Sequence, residues 1–97
     1  MAIARNANSV YVDATGQVTT TLKPVRLLSV TYTSSSAGDA ITFKNTDTNG
    51  TVKLTIKEGL ATNTNTHNFE NPIRFPGGIY CSAISASSFA TITVEEG

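Results

Sequence analysis

Short alternations of apolar and polar residues run along most of this chain. Ile41-Thr42-Phe43-Lys44 and Val52-Lys53-Leu54-Thr55-Ile56 are the clearest of them. Alternation sends the two kinds of side chain to opposite faces of a pleated strand. No segment keeps the 3.6-residue apolar spacing of a helix over ten residues. Residues 25–33 predict the strongest strand, with Leu28, Val30 and Tyr32 on one face. Ser34-Ser35-Ser36-Ala37-Gly38-Asp39 is a turn by composition. Residues 40–46 and 51–57 predict a hairpin with Ile41, Phe43, Val52, Leu54 and Ile56 inward. Asp47-Thr48-Asn49-Gly50 lies between them, and Asn-Gly accepts the positive φ of a type I′ turn.

Elsewhere the pattern is weaker. Val10-Tyr11-Val12 starts a strand that stops at Asp13-Ala14-Thr15-Gly16, and residues 17–22 alternate faintly before Pro24. Residues 60–68, dominated by Thr and Asn, predict a loop or an edge strand. Residues 71–78 are rich in turn formers, with Phe75 inward. Residues 79–84 form a strand carrying Cys81, and residues 89–95 the last strand, with Ala90, Ile92 and Val94 on one side. About eight short strands at close intervals predict an all-β fold: a single small antiparallel β-sandwich, jelly-roll-like, over residues 10–97. Residues 1–9 are polar, with Ile3 the only large aliphatic besides Met1. They are expected to be an extended N-terminal arm, held by a neighbouring chain or packed back on its own domain.

Composition adds a reason to expect assembly. Thr, Ser and Asn fill 16, 9 and 8 of the 97 positions, so the wet faces are neutral. β-branched Thr suits the solvated face of a sheet. Charged residues make up 14%, against roughly 25% in average domains, and a surface poor in charge repels its own copies weakly. Seven Lys and Arg balance seven Asp and Glu without runs, which disfavours nucleic acid as a partner. A chain of this length buries a modest core, and its single cysteine allows no internal disulfide. Oligomerisation is the remaining staple. No apolar run approaches the ~20 residues of a membrane-spanning helix. Met1–Arg5 leads into Asn6, Asn8 and Ser9 without an apolar signal region, so synthesis and folding in a cytoplasm are expected.

Candidate chemistry is sparse, and no catalytic residue, cofactor site or metal site is expected. Asn45 to Gly50 partly matches a calcium-loop pattern, but Ile56 stands where the bidentate Glu is required, which favours a plain turn. The sequon Asn49-Gly50-Thr51 has no secretory context. His67, the only histidine, has no nucleophile motif to serve and reads as an exposed loop residue. Cys81 reads as a buried, inert thiol. Thr62, Thr64 and Thr66 would make a row of hydroxyls and methyls on a strand, fit to meet sugars, ice or another sheet edge; a solvated loop is the plainer reading. Tyr11, Tyr32 and Tyr80 suggest a sugar-stacking platform, against core or subunit packing.

Residues 70–80, Glu-Asn-Pro-Ile-Arg-Phe-Pro-Gly-Gly-Ile-Tyr, resemble small virion structural proteins of tailed bacteriophages. There a Pro-Ile-x-Phe turn leads into a Gly-(Ile/Leu)-Tyr strand and a Thr/Val-rich terminal strand, here Ala90-Thr91-Ile92-Thr93-Val94. The Asn-Thr-Asp-Thr-Asn-Gly hairpin and plain N-terminus are also typical, and the likeness covers residues 28–94 in style. It implies a non-enzymatic head decoration, or cement, protein located in the virion. Its partners would be the major capsid protein or other virion proteins. The protein itself would be a homo-oligomer, with a homotrimer matching local three-fold axes. The alternative is a carbohydrate- or receptor-binding module of a phage fibre or tail. The arm residues Ile3, Arg5, Val10 and Tyr11 are the expected interface.

Overall fold

The computed structural model describes residues 3–6, 9–19, 24–47 and 49–96. Expectations for residues 1, 2, 7, 8, 20–22 and Thr48 lie outside them. All regular structure among the described residues is strand, in nine segments: β1 (Ile3–Asn6), β2 (Ser9–Val12), β3 (Gly16–Gln17), β4 (Val25–Thr33), β5 (Ala40–Asn45), β6 (Val52–Lys57), β7 (Thr64–Phe75), β8 (Ile79–Ile84) and β9 (Phe89–Glu96).

The strands form two antiparallel sheets. One runs β1-β2-β9-β4-β7 and the other β3-β8-β5-β6. The pairs β2·β9, β3·β8, β4·β7 and β5·β6 are those of one long hairpin folded over and wound into two layers. That winding is the jelly roll. It places the turns 34–39, 58–63 and 85–88 at one end, where Gly38 N–H donates to the Glu58 carbonyl (2.8 Å) and Ser34 N–H to the Asn63 carbonyl (2.9 Å). The other end is closed by Thr46 N–H on the Gly78 carbonyl (2.9 Å) and by Gly77 N–H on Asn45 Oδ1 (2.8 Å).

The core lies between the layers. Val10, Val12, Val30, Tyr32, Ala90 and Ile92 face it from the first sheet, and Ile41, Phe43, Ile56, Ile79 and Cys81 from the second. The N-terminal stretch, expected as an extended arm held by a neighbouring chain or packed back on its own domain, is an edge strand over Ile3–Asn6. It pairs with β2 of its own chain in the register Ile3↔Val12 and Arg5↔Val10.

Bulges correct the expected faces. β4·β9 shifts register between Leu27 and Ser29 while Val94 and Thr93 stay consecutive, so Leu28 is the extra residue there; against β7 the same step passes over residues 69–72. An unpaired residue in one strand inverts the side on which all later residues fall. Val25 and Leu27 therefore point inward before the bulge and Val30 and Tyr32 after it, while Leu28 is only half-buried. The same device in β6, where Lys44 pairs with Val52 and Lys53 is skipped, turns Val52 outward, 50% exposed. Leu54 and Ile56 stay on the core side.

The hairpin tip also differs. Its φ at Gly50 lies outside the left-handed region, so it is no type I′ pair; the left-handed residue there is Thr46, at 70°. Gly50 N–H donates to the Asp47 carbonyl (3.0 Å), and Asn45 N–H to the Thr51 carbonyl (2.9 Å). The glycine is needed for another reason: a Cβ on it would overlap the Asn45 carbonyl oxygen.

Candidate functional site

The outer face of the five-stranded sheet is built from three cross-strand rows. The first is Thr64·Thr33·Phe89, the second Thr66·Thr31·Thr91·Tyr11, and the third Asn68·Ser29·Thr93·Ser9. None of these eleven residues is charged. They share a face because each lies next to an inward residue: Val30 and Tyr32 in β4, Ala90 and Ile92 in β9, Val10 and Val12 in β2. Strands about 4.8 Å apart set the spacing across each row.

Hydroxyls bind each other across this face. Thr33 Oγ1 lies 2.8 Å from Thr64 Oγ1, and Thr31 Oγ1 lies 3.0 Å from Thr66 Oγ1. Each such pair contributes a few tenths of a kcal/mol to about 1 kcal/mol. At one corner Tyr11 and Phe89 pack with ring centroids 5.7 Å apart, tilted by 35°. Both rings stay more than a third exposed. The result is a neutral surface of hydroxyls, methyls and one aromatic pair. Charge returns towards the end of the sheet, with exposed Glu70 and Arg74 in β7 and with Arg26, opposite Arg74, in an ion pair with Glu95 (2.7 Å) that is half in water and stabilises little.

The second sheet presents a different outer face. Lys44 stands opposite Tyr80 and Val52, and Lys57 opposite Ala40. Docking that face against a partner would desolvate ammonium groups; docking the first would desolvate hydroxyls, several of them already paired.

The four expected interface residues fare differently. Tyr11 lies on the neutral face. Val10 is 4% exposed and belongs to the core, so it cannot touch a partner. Ile3 and Arg5 sit on the edge strand beside β2, at the register positions of Val12 and Val10. The three tyrosines form no platform: Tyr32 is fully buried and Tyr80 is on the other sheet. Residues 64–68, left open between loop and edge strand, are strand. They carry Thr64 and Thr66 onto the face, while Thr62 lies in the preceding turn with φ 51°. His67 is likewise in β7 opposite Val30. It is half-buried, not an exposed loop residue, and its Nε2 has no hydrogen-bond partner. Phe89, Thr31, Thr33, Thr91 and Thr93 were not singled out. The threonines carry a signal in the Thr-x-Thr triplets at 31–33, 64–66 and 91–93, which only pairing brings together; Phe89 carries none.

The polar groups at the turn-rich end serve the fold. Asp39 Oδ2 accepts from the Ser35 and Ser36 N–H groups (2.9 and 3.0 Å), and these hold its carboxyl below the usual range. The Asn65 side-chain amide donates to Glu58 and holds that carboxyl down as well. Burial pushes the Cys81 thiol up to about 11, so it stays protonated and unreactive near neutrality. Burial also raises the Tyr32 phenol. In the loop with partial calcium-site spacing, Asn45 Oδ1 accepts from Gly77 N–H and Asp47 Oδ1 from Asn49 N–H (2.9 Å). Two of its side-chain oxygens thus serve the fold, one tying the loop to the turn before β8 and one closing the loop on its own backbone. Comparison with family models, with curated proteins and with solved structures returned no match.

Proposed function

We propose that this chain is a non-enzymatic structural protein of a tailed-bacteriophage virion, a head decoration protein that docks as a homo-oligomer on the major capsid lattice. The neutral outer face of the five-stranded sheet is the observation that carries this reading. Its three rows are uncharged and rimmed by an exposed aromatic pair, and covering them desolvates hydroxyls, two pairs of them already bonded to each other, in place of charged groups. The resemblance at residues 70–80 supplies the kind of particle. The jelly roll is compatible with it, since capsid proteins use that architecture, but so do lectins and enzymes.

The test adds purified protein to empty capsids lacking decoration and measures occupancy by sedimentation. Wild type should saturate the particles. Thr31→Lys and Thr91→Lys, which place an ammonium in the middle row, should lower occupancy at least about tenfold, while Thr55→Lys on the opposite sheet should not. Equal occupancy for all four proteins would remove this face from the mechanism.

A second reading, a carbohydrate- or receptor-binding module of a fibre or tail, is favoured by Tyr11 and Phe89. Their exposed rings beside hydroxyl rows suit sugar stacking. Binding on a glycan screen that is lost in Tyr11→Ala, with no capsid binding, would establish it in place of the first.

A further inference from the structure

We infer that the free edge of β7, Thr64 to Asn68, pairs antiparallel with the same edge of a second copy, joining two five-stranded sheets into one continuous sheet. A sheet edge offers unpaired N–H and C=O groups, and proteins normally defend it with charge, proline, bulges or brevity. Among the described residues, the other edges are defended. β3 has two residues and β1 has four. β6 carries Lys53 and Lys57 and the bulge at Lys53. The second half of β7 is defended too: Glu70, Pro72 and Arg74 follow, and residues 69–72 drop out of register with β4. Thr64-Asn65-Thr66-His67-Asn68 has no lysine, arginine, carboxylate, proline or register shift, and β7 has a strand neighbour on one side only.

The outward groups can be named. Ser34 N–H donates to the Asn63 carbonyl, so that pair is hydrogen-bonded. Alternation along the ladder then makes 65 and 67 hydrogen-bonded to β4. The N–H and C=O of Thr64, Thr66 and Asn68 therefore point away from the sheet. The close Thr33–Thr64 and Thr31–Thr66 hydroxyl contacts agree, since side chains approach most nearly in non-hydrogen-bonded pairs.

The segment is complementary to itself. A twofold axis through Thr66 sets Thr66 against Thr66 and Thr64 against Asn68 of the second copy. All three outward residues then find outward partners, giving about six main-chain hydrogen bonds. No like charges meet, and the Thr rows of the outer face continue across the junction. An isologous contact of this kind closes at two copies, not at the three expected from the resemblance. It stands independently of capsid docking.

The test uses the full chain at several concentrations in analytical ultracentrifugation, with three variants. Wild type should show a concentration-dependent dimer. Thr66→Pro removes an outward donor while leaving the main-chain bonds to β4, so it should weaken the dimer at least about tenfold with little change in the melting temperature measured at a concentration where the wild type is monomeric. Under mild oxidation Thr66→Cys should cross-link, because paired Cα atoms at about 5.5 Å fall within disulfide reach. Thr64→Cys should not, because its copies stand about 14 Å apart along the strands. The buried Cys81 takes no part. A wild type that remains monomeric at the highest concentration, a Thr66→Pro dimer as tight as wild type, or cross-linking of Thr64→Cys as fast as Thr66→Cys would each overturn the pairing.

Discussion

Replacing Gly50 separates two explanations of one turn. If the tip were a type I′ pair, position 50 would need positive φ, and Asn, the side chain that best tolerates that region, would substitute at small cost. In the structure φ is not left-handed, and the obstacle is the Asn45 carbonyl oxygen, which any L-residue's Cβ would overlap. Backbone, not a flexible side chain, must then move. The bonds at risk are Gly50 N–H to Asp47 and Asn45 N–H to Thr51. At about 0.5–1.5 kcal/mol each, their loss costs roughly 1–3 kcal/mol. Reduced freedom of the unfolded chain returns about 0.4–1 kcal/mol. The net destabilisation is centred on about 1 kcal/mol, within about 0–2.6 kcal/mol, equally for Gly50→Ala, Gly50→Asn and Gly50→Val, before any β-branch strain in valine. For a domain of this size the central value lowers the melting temperature by roughly 4–8 °C. Thermal unfolding followed by circular dichroism, at one fixed low concentration so that assembly does not contribute, gives the comparison. A Gly50→Asn protein as stable as wild type beside a strongly destabilised Gly50→Val would refute the overlap argument and restore the type I′ turn.

Other consequences follow from the same geometry. Asp39 and Glu58 have carboxyl pKa values lowered in the folded state, so their stabilisation is complete above the unfolded pKa of about 4 and is lost as pH falls through the lower folded values. Melting temperature should fall as pH drops below about 4, and Asp39→Asn should reduce that fall; a flat profile down to about pH 2 would contradict it. Cys81 should ignore a thiol reagent at pH 8 in the native protein and react at once in guanidinium chloride, so rapid native labelling would mean that strand β8 is open. Removing residues 1–6 strips the edge strand from β2 and exposes the ladder of Ser9–Val12; self-association should rise and the melting temperature fall modestly, whereas a truncated protein indistinguishable from wild type would show the pairing contributes nothing.

The local pattern was sufficient for the strand class, for β4 at its observed limits and for the β5–β6 hairpin, because alternation acts over neighbouring residues. It also held the Thr-x-Thr triplets that make the neutral face. Tertiary structure decided what alternation cannot. A one-residue bulge exchanges inside for outside, so Leu27 replaced Leu28 in the core and Val52 left it. Bulges answer to the partner strand's register, which lies far away in sequence. The strand identity of 64–68 came from β4, which supplies backbone partners to a stretch with no apolar alternation of its own. Tyr11 reached the face and Val10 the core because β2 docks on β9, eighty residues away in the chain by rough count. Three triplets spread over the chain became one surface only through winding of the jelly roll, a choice made by the packing of the whole core and written in no single segment.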